Sequence, residues 1–416
     1  MSYNYRFAKL GDFASFKNGI NYRRLDTGEK IRIINVKELV SIDFVDDMTD
    51  LPIIELEYDK YKNYLIKEDN IIIARSASPG EVILYKGSKP TIYSGFSIKI
   101  DFDSNILYPE FLFYYLKFYK NKVINVSNGT IFKNLNQNIL NNIEIPIMSY
   151  SLQQAIANIL SSLDDKIELN NKINKNLEEL AQTLYKQWFV DFEFPNENGE
   201  PYKSSGGEMV DSELGLIPIG WSYETLGKSK LTKLVRSGID LFDDKKIYLA
   251  TADVTDTTIT NHNTIITYDE KPSRANMQPK ENTVWFAKMK NSRKLIRVSN
   301  ESKDIVNNYI FSTGFAGLEC DKSLNYIWTI ISDLQFDDLK NSMATGTTQE
   351  AINNGVINNI PLLIPTGDIL KKFENITKSI FNLIAKNDNE NIKLAEMRDL
   401  LLPKLMSGEI RIPLKE

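Results

Sequence analysis

Few residue combinations in this chain could carry catalysis. A metal-dependent nuclease needs clustered acids and a lysine, and Asp164-Asp165-Lys166 offers those types. They are adjacent in a segment with helical composition, so their side chains fan out and cannot converge on one ion. The single histidine, His262, sits in a Thr/Asn-rich stretch with no nucleophile motif beside it, and with the single cysteine, Cys320, it cannot build a Cys/His zinc set or a disulfide framework. There is no GxxxxGK[ST] phosphate loop, and Gly206-Gly207 does not follow a strand. Nor is there a Pro-Pro pair of the kind used in exocyclic amino methylation. The expectation is a chain with no catalytic residues, metal or cofactor of its own.

The elements that dominate the sequence are two long helices. Ile156, Leu160, Leu163, Ile167, Asn170, Asn174, Leu177, Ala181, Leu184 and Trp188 follow alternating steps of four and three, the period of a coiled-coil seam. Ser151 and Gln154 have the spacing of a capping box, which starts the helix near Leu152 and gives it a length of about 55 Å. Adding 217 to each seam position gives Phe373, Thr377, Ile380, Ile384, Asn387, Asn391, Leu394, Arg398, Leu401 and Leu405, with both asparagines retained. The repeat extends upstream: Leu10-Gly11 matches Leu226-Gly227, YSGFSIKI resembles FSTGFAGLE, and Gly129-Thr130 matches Gly346-Thr347. The chain is therefore a tandem duplication of a globular domain followed by a long helix. A seam asparagine is tolerated where a second amide faces it, so Asn170, Asn174, Asn387 and Asn391 are expected to set the register of an antiparallel pair with a pseudo-two-fold axis. The alternative is that these asparagines face solvent.

Each globular part has short β segments, such as NIIIARS, EVILY, FSIKI and HNTIITY, between Gly, Pro, Asn and Ser turns. LYPEFLFYYLKFYK (107–120) has the pattern of an amphipathic helix with core aromatics. Residues 194–221, rich in Gly, Pro, Ser and acids, have the composition of a linker that leaves the second copy free to be placed independently. The expected organisation is α+β: a first mixed-β domain with short helices over 1–150, a long helix over 151–193, a linker leading into the second half over 194–221, a second domain over 222–367, and a second long helix and tail over 368–416. With 416 residues, 42% of them hydrophobic, the chain can build several cores. The N-terminal residues lack an apolar signal region and no apolar run reaches membrane-spanning length, so a cytoplasmic protein is expected. The net charge of −5 does not advertise a nucleic-acid binder, although Lys271–Lys303 is locally basic, either as a binding face or as an ordinary solvated surface.

The order of domain, helix ending in LYKQWFVDF, ELGLIPIGW opening a second domain, and a last helix ending in MRDLLLPKLMSGEI resembles the specificity subunit of type I restriction-modification systems. The resemblance covers essentially the whole chain and is carried most specifically by residues 153–189, 210–221 and 397–410. It implies two target-recognition domains, each reading one half of a bipartite, asymmetric duplex DNA sequence, with the helices as a ruler for the spacer. It also implies docking of two DNA methyltransferase (modification) subunits that bring S-adenosylmethionine, and a separate motor/nuclease subunit that uses ATP and Mg.

Contact residues do not carry over by motif. Arginine suits guanine, asparagine and glutamine suit adenine, and cations suit phosphates. For the first domain this singles out Arg75, Ser76 and Ser78, with Arg23, Arg24 and Lys133 on phosphates. For the second it singles out Arg274, Asn276, Gln278, Lys288, Lys290, Asn291, Arg293 and Lys294. Two other readings compete: the recognition half of a fused restriction-modification enzyme, which would need catalytic motifs in the same chain, and a coiled-coil adaptor that does not bind DNA.

Overall fold

A computed structural model of the chain describes residues 6–23, 26–126, 135–346 and 350–413, with side chains excepted over 121–126. The chain divides into one unit formed by 1–169 with 390–416 and a second formed by 170–389.

In the first unit, the strand Arg6–Lys9 pairs antiparallel with Glu144–Ile147. A five-stranded sheet runs in the order Ala14–Asn18, Ser97–Phe102, Ile71–Ala74, Val82–Tyr85, Phe44–Val45. A three-stranded sheet has Glu29–Ile34 between Ile53–Leu56 and Thr91–Tyr93, the last pairing parallel. The helix Pro109–Val126 buries Phe111, Phe113, Tyr114 and Tyr115, so its aromatics are core, as their spacing requires.

The second unit repeats this plan. Ser222–Thr225 pairs with Pro361–Ile364. One four-stranded sheet runs Lys233–Leu234, Phe315–Glu319, Thr283–Ala287, Leu295–Val298, and another runs Ile265–Ile266, Lys246–Leu249, Tyr309–Ser312, Ala275–Met277, again with one parallel pairing. Small details recur. Asn136 caps Gln137–Asn141 by accepting from the Ile139 amide, and Asn353 caps Asn354–Asn358 by accepting from the Val356 amide. A Cβ on Gly11 would lie 1.9 Å from Asn141 Oδ1, and one on Gly227 would lie 2.3 Å from Asn358 Oδ1 and 2.4 Å from its Cβ. Both Leu-Gly pairs therefore persist because a helix turn packs onto the glycine.

The long helices span Tyr150–Tyr185 and Gly367–Met406. The start differs from the expected Ser151/Gln154 box. Ser149 Oγ accepts from the Leu152 amide at 3.3 Å, and Gln153 turns into the first domain, accepting from the Tyr108 amide and donating to the Ile106 and Met148 carbonyls. Gln153 is thus a strut between helix and domain. The first helix ends in a π-helical turn, Lys186–Val190, whose wider winding lets the neighbours Trp188 and Phe189 both be buried.

Within each unit the helices run antiparallel. In the first, Asp164 meets Arg398 at 2.7 Å and Lys166 meets Glu390 at 3.4 Å. In the second, Asn387 Nδ2 donates to Asn174 Oδ1 at 2.8 Å, and Asn174 Nδ2 donates to Asp388 Oδ1 at 2.8 Å. Asn170, Asn174 and Asn387 are buried and Asn391 is half-buried, so the seam asparagines do not face solvent. Asn387→Leu should destabilise the second unit by about 1–3 kcal/mol, because Asn174 Oδ1 loses its donor in a buried layer. Asn174→Leu/Asn387→Leu together should recover that loss while broadening the register. Urea titration followed by hydrogen exchange of the seam amides tests both, and a double variant as unstable as the single would argue against amide pairing.

Residues 194–221 are not a free tether. Trp221 stacks on Phe194 at 5.0 Å, Phe194 on Tyr202 at 4.5 Å, and Met209–Ser212 forms a hairpin with Gly215–Pro218. Phe194, Ile217 and Trp221 belong to the second unit's core. The Gly/Pro/Ser-rich composition hid three aromatics whose burial outweighs the chain's local freedom.

Candidate nucleic-acid interface

The sequence candidates in the first unit lie on the loop joining Ile71–Ala74 to Val82–Tyr85. The Gly80 amide donates to Ala74 O at 2.9 Å, and the Ala74 amide to Glu81 O at 2.8 Å, closing a loop that passes through left-handed Ala77 (φ 66). Arg75 is its anchor: its amide donates to Phe96 O at 2.9 Å, and its carbonyl accepts from the Leu135 amide at 2.7 Å. The Gly95 amide donates to Ile20 O at 2.7 Å. These bonds tie three stretches to one end of the sheet: the loop with Arg75, Ser76 and Ser78, the Ser94–Phe96 turn, and the segment from Ile20 to exposed Arg23. Arg24 and Lys133 lie outside the described residues.

In the second unit, Lys288–Lys294 joins Thr283–Ala287 to Leu295–Val298, the equivalent pair of strands. Its frame is the same. The Ala287 amide donates to Lys294 O at 3.0 Å, the Lys288 amide to Gly314 O at 3.0 Å, and the Ile352 amide to Lys288 O at 3.0 Å. Leu135 and Ile352 are themselves 217 residues apart. The loop again contains a left-handed residue, Asn291 (φ 54). Two loops selected separately by composition are thus one structural position occurring twice.

The cations of the second loop divide into two groups. Arg293 binds Asp337 Oδ2 at 2.6 Å, Asp256 Oδ1 at 2.9 Å and the Ser332 carbonyl at 2.6 Å. Lys294 donates to Val254 O at 2.5 Å, and Lys290 pairs with Glu350. These three side chains have partners inside the fold that hold the loop's shape. Exposed Arg274 and half-buried Lys288 flank different strands, Arg274 just before Ala275–Met277 and Lys288 just after Thr283–Ala287, and are drawn together by one turn: Arg274 O accepts from the Thr313 amide at 2.9 Å, next to the Gly314 carbonyl that holds Lys288. Burial, the larger cause, and then the neighbouring Arg274 charge pull the Lys288 ammonium below its ordinary pKa. Asn276 and Gln278 are half-buried beside Arg274, and Asn291 is exposed at the loop tip.

Arg236 and Phe96 carry no sequence signal that would single them out. Arg236 is exposed two residues before Gly238, whose amide donates to Asn276 O at 2.9 Å, so it joins the Arg274 end of the sheet. It lies outside the dense basic window at Lys271–Lys303. Phe96 looks like a strand aromatic in YSGFSIKI, yet it is 60% exposed.

Asp164 serves the fold: Tyr114 Oη donates to it at 2.6 Å and Arg398 at 2.7 Å. Among the described residues no group of three or more His, Cys, Asp or Glu side chains could hold a metal ion. No helix among them is long and apolar enough to cross a membrane.

Residues 3–179 match the family model described as the type I restriction modification DNA specificity domain. The chain is 28% identical over 369 residues to the type I restriction enzyme MjaIX specificity subunit of Methanocaldococcus jannaschii, covering 84% of this chain and 79% of that protein. It is 25% identical over 366 residues to the HindI specificity subunit of Haemophilus influenzae, covering 75% and 79%. The solved type I restriction-modification S subunit from M. genitalium has the same fold, with a TM-score of 0.51, 17% identity and 97% of each chain covered. A duplicated α+β unit on paired long helices is thus a fold this chain shares with that S subunit. The chain is similar, over most of its length, to specificity subunits of type I restriction-modification systems, and its first 179 residues contain the match to the specificity-domain family.

Proposed function

We propose that this chain is the non-catalytic, DNA-reading subunit of a type I complex, with each unit reading one half of a bipartite, asymmetric duplex target. The observation that carries this reading is the equivalent loop in each unit, held by the same three backbone hydrogen bonds but bearing different side chains: Arg75, Ser76 and Ser78 in one, Lys288 and Asn291, with Arg274, Asn276 and Gln278 beside them, in the other. A constant frame with variable side chains gives two readers of different specificity, hence an asymmetric target. The recognition domains are assigned to 1–150 and 222–367 and the ruler helices to 151–193 and 368–416, with 194–221 as the folded connector. Arg23, Arg24, Lys133 and Arg236 are assigned to phosphates. Lys290, Arg293 and Lys294 support the loop.

The helices also offer docking faces. Leu180 and Met397 are 217 residues apart and both exposed, as are Ile376 and Leu383 in the second unit and Leu169, Ile392 and Leu400 in the first. The equivalent pair Leu180 and Met397, with further exposed apolar side chains on each helix, suits two copies of a modification subunit, which would bring the methyl donor, while a separate ATP-dependent subunit would cut. The working compartment is then the cytoplasm, where the DNA is.

Long-read methylation mapping in cells expressing the chain with its modification subunit should yield one bipartite adenine motif that vanishes without the chain. Exchanging residues 222–367 for those of a relative should change one half of the motif and leave the other half and the spacer intact. A motif independent of this chain would favour the non-DNA-binding adaptor instead.

A further inference from the structure

Phe96 is a large apolar side chain, 60% exposed, on a turn that the fold holds rigidly among the candidate DNA-binding residues. Its carbonyl accepts from the Arg75 amide at 2.9 Å, and the next amide, Ser97, donates to Ser94 O at 2.9 Å. The preceding residue, Gly95, donates to Ile20 O at 2.7 Å. The chain approaches from both sides: a Cβ on Gly19 would lie 2.1 Å from Ser94 O, and one on Gly95 would lie 2.0 Å from Asn21 Oδ1. Bulk is excluded at both glycines, while the largest side chain of the turn, Phe96, stays exposed on a backbone bonded to the Arg75 loop on one side and to Ile20 on the other. By strand register, Ala74 pairs with Ser97 as Ala287 pairs with Phe315, so the second unit has Gly314 where the first has Phe96. The exposed ring is therefore not required by the shared frame, and Gly314 offers no such group.

Resting on the DNA-reading function above, we propose that Phe96 is a specificity-determining residue of the first recognition domain, and that it packs its ring against a thymine methyl group in the half-site that domain reads. The thymine C5 methyl is the apolar group a base pair presents in the major groove, and polar or cationic neighbours cannot recognise it. A ring on a pinned backbone loses little conformational freedom on binding, which makes an aromatic there an efficient anchor.

The test uses the full complex with its modification subunit and the motif from methylation mapping. Each first-half thymine is replaced in turn by deoxyuridine, and equilibrium binding is measured for wild type and Phe96→Ala. One replacement should weaken wild type by roughly fourfold, the free energy of one buried methyl, and have no effect on Phe96→Ala, which itself binds about tenfold or more weakly. Second-half replacements should behave identically in both proteins. A first half without thymine, or deoxyuridine effects unchanged by Phe96→Ala, would overturn the assignment. So would a Phe96→Ala defect that is uniform on all sequences, which would mark a wedge or a backbone interaction. If wild type has no preference for the mapped motif over unrelated duplex, it is the DNA-reading function itself that fails. Circular dichroism and second-half binding of Phe96→Ala show whether the variant is folded.

Discussion

Arg398→Ala should destabilise the first unit by about 3–5 kcal/mol, a large effect for one side chain on a helix. Asp164 is buried in the seam, with Arg398 on one oxygen at 2.7 Å and Tyr114 on the other at 2.6 Å. Removing the guanidinium leaves a carboxylate in the core with a single neutral donor. Arg398 also borders a cavity of about 160 Å³ lined by Gly80, Glu81, Tyr114, Lys117, Lys120, Asp399 and Leu402, so it takes the pair's solvent-facing side while Asp164 takes the interior. The internal repeat supplies the compensating variant. The positions equivalent to Asp164 and Arg398 in the second unit are Phe381 and Ala181, both in its core. Tyr114→Phe/Asp164→Phe/Arg398→Ala should therefore recover most of the loss, because an apolar layer replaces the polar one without an orphaned charge. Urea titration followed by amide exchange in Pro109–Leu116 measures this unit. A cost below about 1 kcal/mol for Arg398→Ala would mean that water screens the pair as it does surface ion pairs.

The second expectation concerns DNA. Arg274→Ala with Lys288→Ala should reduce binding to the cognate duplex by one to three orders of magnitude and leave the first half-site's contribution intact. The two cations flank different strands, and burial, with repulsion from Arg274, already depresses Lys288. A phosphate or guanine edge between them would relieve that repulsion, so DNA binding should draw protons to Lys288 and weaken as alkaline pH removes its charge. For each phosphate left without its cation, the slope of log affinity against log salt should fall by about 0.9. If Arg274 reads a guanine instead, the slope falls less and the mapped motif relaxes at one position, at a cost of roughly 1–3 kcal/mol. An unchanged slope together with an unchanged motif would remove both residues from the interface. Arg293→Ala is the contrasting variant: with its donors on Asp337, Asp256 and Ser332, it should lower stability, and change binding only by loosening the loop.

The sequence by itself determined the duplication, the heptad seam and the strand segments. These rest on periodicity and on self-similarity at one offset, which are one-dimensional properties. It also exposed the asparagines, since an amide in a leucine-rich seam is conspicuous at both copies. Antiparallel direction followed only as an inference from symmetry, and the structure shows it in the order of partners along each helix.

Only the tertiary structure decided which cations face outward. Arg293 and Arg274 look alike in a basic window, but the acids that bind Arg293, Asp256 and Asp337, are 37 residues before it and 44 after it. No local pattern could reveal that pairing. The connector at 194–221 departs from its linker-like composition for a similar reason: flexibility is a property of local composition, whereas its order comes from aromatics that find a distant core. The equivalence of the two candidate loops was hidden because loops diverge where they meet ligands, while the hydrogen bonds that hold them belong to the backbone and leave no side-chain signature. Periodic order is written locally, but exposure and charge neutralisation depend on which distant residues fold against a given side chain.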